Sequence, residues 1–247
     1  MNAIKNNAYS KNWRTLGEQI GKPKSVLCVS AHWLTDGTQV TANENPKTIH
    51  DFGGFPGDLY QVQYPAPGNP TLARHVAELL ELKINGLTDE WGLDHGAWSV
   101  LKHLYPDADV PVVQLSLDVN KSSSAHVEMA KKLAPLRKDG VLILASGNVV
   151  HNLGLMNWAE DAPVPEWARR FDQTVVESIQ SDNLNSLIHW ETLTPEGARA
   201  HPSPDHYWPL LYAMALREKT DHVSFPVTGF QHGSISMRAV IVGLSER

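Results

Sequence analysis

The chain has 247 residues, 42% hydrophobic and 19% charged, with apolar positions spread along its whole length, which excludes a disordered chain and leaves ample material for a core. Lysine plus arginine number 21 against 27 aspartate plus glutamate, a formal net charge of −6, and no basic stripe is present, so neither nucleic acid nor an anionic membrane surface is an expected partner. The single cysteine, Cys28, rules out an internal disulfide, and no apolar run approaches a membrane span; with a polar start that lacks a signal-peptide core, the expectation is a cytoplasmic protein acting on a small molecule.

The spacing of Trp13, Leu16 and Ile20 predicts a first helix, and Ser25–Ser30 reads as a strand with Cys28 as a small hydrophobe inside it. Thr48–Pro70 is a long loop rich in Gly and Pro, whose Phe52, Phe55, Tyr60 and Tyr64 need something to pack on. Leu72, Val76, Leu79 and Leu80 predict a second helix, and Asp94-His95-Gly96 reads as an exposed loop. Strands are expected at Val110–Leu117, Val141–Ala145 and Arg238–Val242. Helices are expected around Val127, Ala130, Leu133 and Ala134, around Phe171, Val175, Val176 and Ile179, and over Pro209–Leu216, where Asp205 is a candidate cap. A second long loop falls at Thr194–Pro204. Strands alternating with helices imply α/β: a single layered domain over residues 1–247, with a central mostly parallel or mixed sheet flanked by helices. The near-continuous apolar strands suit a sheet covered on both faces.

Twelve histidines are an excess that points to metal or acid–base chemistry. His32 follows the first strand and His151 follows Val141–Ala145 through a short turn, which puts both at the carboxyl edge of the sheet, where α/β sheets bind ligands. His206 lies just before, or in the first turn of, the Pro209–Leu216 helix. Three imidazoles from separate loops can hold a divalent metal with positions left open; on local sequence alone each reads equally as a surface or hydrogen-bonding residue. His95 reads as a loop histidine able to move protons, or one satisfying backbone groups, and His50 as a lid or loop-packing residue. His75, His103, His126, His189, His222 and His232 read as structural or solvated. Gly-x-Ser-x-Gly, Gly-x-x-x-x-Gly-Lys and Gly-x-Gly-x-x-Gly are all missing, which argues against serine-hydrolase and nucleotide chemistry.

Six segments carry more together than singly: Ser30-Ala31-His32-Trp33, Thr48–Pro56, Tyr64–Gly68, Asp94-His95-Gly96-Ala97-Trp98, Gly147–Asn152 and Pro202–Tyr207. In this order they resemble the class III extradiol ring-cleavage dioxygenases, over essentially the whole chain. The resemblance implies a non-haem metal enzyme, with Fe(II) in the active form and zinc as an alternative occupant of purified protein. Its partners are dioxygen and a catechol, DOPA in the nearest branch, opened by 4,5-cleavage to a semialdehyde. By the same resemblance His32, His151 and His206 match metal positions, with His151 serving as a ligand or as the acid–base histidine beside the metal. His95 is a second proton-transfer or substrate-contacting group, and Trp33, His50, Phe52 and Trp98 shape the substrate pocket. Two other readings use the same residues: a zinc hydrolase with His95 as proton shuttle, and a catalytically weakened binding module. Family members begin with a strand ending in His-Gly-Ser-Pro-Met, whose histidine is a ligand, and Met1 aligns with that methionine. The expectation is therefore a chain lacking the family's first strand and one ligand, with metal affinity reduced accordingly.

Overall fold

The computed structural model describes residues 2–83, 86–159 and 161–244; Met1, on which the expected loss of a first strand turns, lies outside the described residues. In chain order the elements are α1 (Ala8–Ile20), β1 (Ser25–Thr35), β2 (Val40–Thr41), α2 (Gly57–Tyr60), α3 (Pro70–Leu79), β3 (Leu87–Thr88), α4 (His95–Leu104), β4 (Val112–Asp118), α5 (Ser123–Lys131), α6 (Pro135–Lys138) and β5 (Val141–Ser146). They continue with α7 (Glu166–Gln180), α8 (Leu184–Ile188), α9 (Gly197–Ala200), α10 (Trp208–Ala215), β6 (Val223–Val227), β7 (Phe230–Gln231), β8 (Ile235–Ser236) and β9 (Ala239–Val242). The fold is α/β, and the chain divides into two compact units, Met1–Asn120 with Lys132–Ser146 and Lys121–Lys131 with Gly147–Arg247. Among the described residues no helix is long and apolar enough to cross a membrane.

The first unit is built on a five-stranded mixed sheet in the order β3-β2-β4-β1-β5. β1 runs parallel to both β4 and β5, and β2 runs parallel to β3 but antiparallel to β4. β1 and β4 are the long interior strands, and their apolar runs are buried on both faces, with Val26, Leu27, Cys28 and Val29 all at 0% exposure. Each such side chain contributes about 1.5–3 kcal/mol by leaving water. β5 does not follow the expectation of a sheet covered on both faces. It is the last strand of this sheet, and all six of its residues are half-buried.

α1 starts on a capping box in which Asn7 Oδ1 accepts the Ser10 N–H and Ser10 Oγ accepts the Asn7 N–H. It ends at Gly21, whose φ of 76° only glycine adopts freely. α1 meets α4 backbone to backbone, because a Cβ at Gly17 would stand 2.1 Å from the Leu104 carbonyl oxygen. Gly17→Ala is expected to cost about 2–3 kcal/mol through this overpacking, read as a lower urea midpoint at unchanged slope. α4 itself corrects the reading of Asp94-His95-Gly96 as an exposed loop. The segment is a helix start, and Ala97, Trp98, Leu101 and Leu104 form its buried stripe.

In the second unit α7 buries Trp167, Phe171, Val175 and Ile179, and α5 packs on α10. Two antiparallel pairs, β6–β9 and β7–β8, complete it. Arg238, expected within the last strand, instead precedes β9 and pairs with the buried Asp172 of α7, which also accepts the Ser236 hydroxyl at 2.7 Å. This charge-assisted cluster ties the C-terminal strands to the helix.

Candidate active site

Between Val29 and Leu34 the β1 strand advances five residues while β4 advances two, from Leu115 to Leu117. The surplus is a bulge at the carboxyl end of β1, and His32 lies in it, inside the strand rather than after it. Behind His32 sits Asp94, fully buried as the N-cap of α4. Its carboxylate accepts the Ala97 N–H (3.0 Å), the Ser30 hydroxyl (2.8 Å) and the Gln114 amide (2.7 Å), donors that offset the cost of burying a charge. Two residues further, a Cβ at Gly96 would fall 2.5 Å from Ser30 Oγ and 2.7 Å from His32 Cδ2. Asp-His-Gly is thus a cap, a site residue and a gap through which the His32 ring packs on the helix start.

His95 is the first residue of α4 and is clamped twice by Asp51, its N–H on Oδ1 (2.7 Å) and its Nδ1 on Oδ2 (2.8 Å). Burial pushes the Asp51 carboxyl up, but the hydrogen bonds and charge of His95 outweigh it, so its pKa lies below the ordinary carboxylate range. An ionised carboxylate only accepts, so Nδ1 of His95 carries a proton, and Nε2 is the nitrogen left to exchange one with a substrate. The His32 ring is 3.8 Å from that of His95, and its Nδ1 is 3.6 Å from Asp51 Oδ2. Ligand atoms of His32, Asp51 and His95 all lie within 4.8 Å of one another. Imidazole and carboxylate are donor types that suit a non-haem divalent metal such as Fe(II), so the chemistry of this corner fits the group; Asp51 and His95 are hydrogen-bonded to each other, which makes His32 the ligand it offers.

The long aromatic loop packs over this corner. Phe52 stands edge-on to His95 (5.3 Å, 84°), with Tyr60 and Phe55 against it at 5.0 and 5.5 Å. His50 donates from Nε2 to the Val62 carbonyl (3.0 Å), and its ring faces Phe52 and Trp98. Trp98 is fully buried with its N–H on the Ile49 carbonyl, and Trp33 is buried and stacked on Trp91. Of the four expected pocket residues, His50 and Phe52 are half-buried, Trp98 packs behind them, and Trp33 is buried against Trp91.

In the second unit His151 and His206 are stacked, 3.5 Å between ring centroids and 6° from parallel. Asn148 orients His206. Its amide donates from Nδ2 to the Ser236 carbonyl (2.9 Å), which leaves Oδ1 to accept the Nδ1–H of His206 at 3.1 Å and assigns the lone pair to Nε2. The chains come this close only because residue 147 is glycine, since a Cβ there would stand 2.3 Å from the His206 carbonyl oxygen. Asp205 is not the expected cap. Tyr207 occupies the cap position of α10 without a side-chain bond, and the N–H groups of Tyr207 and Trp208 both close on the Pro204 carbonyl, which places His206 before the helix.

Segment 148–152 is gripped like an interior strand. On one side Val150 O accepts the Ser236 N–H and the Asn152 N–H goes to Ser234 O; on the other the His151 N–H goes to Ala200 O (3.1 Å). Asn152 adds its side chain, which donates to Arg199 O at 2.7 Å. Sequence reasoning brought out His32, His95, His151 and His206 but missed Asp51 as the partner of His95 and Gln114 as the partner of Asp94. The one available signal for the latter was a polar residue in the middle of an apolar strand.

A model of the family described as the catalytic LigB subunit of aromatic ring-opening dioxygenase matches residues 3–241. The 4,5-DOPA dioxygenase extradiol of Escherichia coli (strain K12) is 43% identical over 251 residues, 98% of this chain and 91% of that protein. The protein of the same name from Portulaca grandiflora is 37% identical over 223 residues, 87% of this chain and 80% of that one. A crystal structure of an uncharacterized protein from Escherichia coli K12 superposes with a TM-score of 0.81 at 39% identity, covering 96% of this chain and 93% of the other. With the family model spanning nearly all of the sequence and close relatives aligned along most of it, the chain belongs to the LigB family and is an aromatic ring-opening dioxygenase.

Proposed function

We propose that the protein is an extradiol dioxygenase that opens the ring of a catechol, DOPA or a close analogue, by 4,5-cleavage to a semialdehyde. The observation that carries this reading is the oriented set of imidazoles: His32 pressed on the start of α4, His95 locked by Asp51, and His206 locked by Asn148. The names of the relatives support the substrate class. His32 and His206 are the proposed ligands of a non-haem metal, Fe(II) in the working enzyme and zinc in an inactive form, with His151 as the acid–base histidine. Bound there, Fe(II) supplies the redox path by which an electron-rich ring and dioxygen react.

The other roles fall to side chains of this chain. His151 accepts the proton from a catechol hydroxyl and returns it as the ring opens. His95, with Nδ1–H held by Asp51, keeps Nε2 for proton exchange and serves as a second proton acceptor on the substrate. Phe52 and His50 face the aromatic ring, and Phe52 helps exclude water from His95. The test is an oxygen electrode run on the Fe(II)-loaded and the Zn-loaded protein with DOPA, catechol and protocatechuate. Uptake with a new yellow chromophore in the Fe(II) form alone, fastest with DOPA, is expected. Equal turnover of the Zn form, or none with any catechol despite bound iron, contradicts the proposal.

A further inference from the structure

We infer that His201 is a positioning residue that holds His151 in place, an inference that rests on the reading of His151 as a proton-moving histidine. His201 follows α9 and is 1% exposed, set in a nest of Phe171, Trp190 and Tyr207 whose ring centroids stand 5.2–5.7 Å from its own. Its Nε2 is 2.8 Å from the Val149 carbonyl oxygen. A carbonyl only accepts, so Nε2 carries the proton. Nδ1 is buried and has no hydrogen-bond partner among the described residues, which leaves the ring a single N–H with a single target.

One residue earlier, the Ala200 carbonyl accepts the His151 N–H at 3.1 Å. The two bonds run in opposite senses between 149–151 and 200–201, one from side chain to backbone and one from backbone to backbone, like a rung of an antiparallel ladder completed by an imidazole. The opposite flank of the segment is held by main-chain bonds to Ser234 and Ser236. On the His201 flank it is a side chain, not the main chain, that donates to the carbonyl of Val149, a residue 3% exposed, so removing the donor takes a hydrogen bond from a buried acceptor. The ring of His151, stacked 3.5 Å from that of His206, can keep its alignment only while this segment is fixed.

The test compares wild type, His201→Phe, His201→Gln and His151→Ala as full-length, Fe(II)-loaded proteins, each assayed for kcat, KM and iron content. Phenylalanine fills the nest without a donor; glutamine places an amide N–H near the Nε2 position. His201→Phe is expected to lower kcat about 30- to 100-fold with KM within about threefold and iron content unchanged, because a misplacement of about 1 Å costs roughly that much. His201→Gln is expected to recover kcat to within about fivefold of wild type by restoring the bond. Long-range ¹H–¹⁵N spectra of the wild-type imidazoles are expected to show His201 as the neutral Nε2–H tautomer. Wild-type kcat in His201→Phe, a folded and iron-loaded His201→Gln below a tenth of wild-type kcat, or an Nδ1–H tautomer each overturns the inference. Wild-type turnover in His151→Ala instead overturns the role of His151 itself, so the two failures are distinguishable.

Discussion

His206→Ala is expected to weaken metal binding by more than about 100-fold and to abolish ring-opening turnover at ordinary iron concentrations. That figure is a lower bound set by outer-shell partners, whose removal typically costs 10- to 100-fold in affinity. Asn148→Ala should fall in that outer-shell range. Asn148 is the acceptor for the Nδ1–H of His206 and, through Ser236, is itself fixed in orientation. Without it the imidazole is free to rotate or to change tautomer, and Nε2 no longer presents its lone pair in one direction. Competition titration with a chromophoric chelator measures both variants. A His206→Ala protein that binds iron as tightly as wild type would remove His206 from the ligand set, and an Asn148→Ala protein weaker than His206→Ala would reverse their order.

The second large effect is on stability at acid pH. Burial lowers the pKa of His201 from 6.5 to about 4 in the folded chain. Between those values the unfolded chain binds a proton that the folded one does not, so stability falls as pH drops from 6.5 toward 4 and is undiminished above 6.5. The gap corresponds to about 3 kcal/mol, complete near pH 4. His103, lowered by burial, adds to the loss in the same direction, and Asp51, whose carboxylate is stabilised by His95, adds more once pH falls through its depressed pKa. Urea unfolding at pH 7 and pH 4.5 is the measurement. Wild type is expected to lose about 2–3 kcal/mol more than His201→Gln, which has nothing to titrate at that position. Equal losses would mean that His201 is not held neutral by burial. The same property serves the site, because a histidine neutral across the working range presents one fixed donor pattern to Val149.

Much of this fold was legible in the order of residues. The apolar runs at 25–30, 110–117 and 141–145 are the cores of β1, β4 and β5, the three- and four-residue spacings locate α1, α3, α5 and α7, and the apolar stretch Pro209–Leu216 locates α10. α4 was hidden because Asp-His-Gly has the chemistry of a turn; the same residues start a helix once Asp94 is satisfied by Ser30 and Gln114 from neighbouring strands. β2 and β3 span two residues each, too short for any alternation to show, and the Pro226 inside β6 argues against a strand by local rules. β5 has the composition of an interior strand in a terminal position, a matter of sheet order that no local pattern encodes.

The site divides along the same line. His32, His151 and His206 stand out because strand ends and sequence motifs mark them. Their partners do not. Asp51 reaches His95 across 44 residues, Asn148 reaches His206 across 58, and His201 reaches Val149 across 52. Each pairing is a product of tertiary packing, and a histidine before a proline in a loop carries no period that would single it out. Asp205 failed as a cap for a related reason, since the Pro204 carbonyl closes the turn before the side chain is needed.

The most direct test of the account is the fate of labelled dioxygen. The Fe(II)-loaded protein turns over DOPA under ¹⁸O₂, the reaction is quenched with borohydride to fix the aldehyde oxygen, and the product is weighed by mass spectrometry. Both labelled atoms in one ring-opened product is the expected result. A product formed at the same rate under argon, or one that takes its new oxygen from water alone, would contradict the assignment of ring-opening dioxygenase chemistry to these histidines.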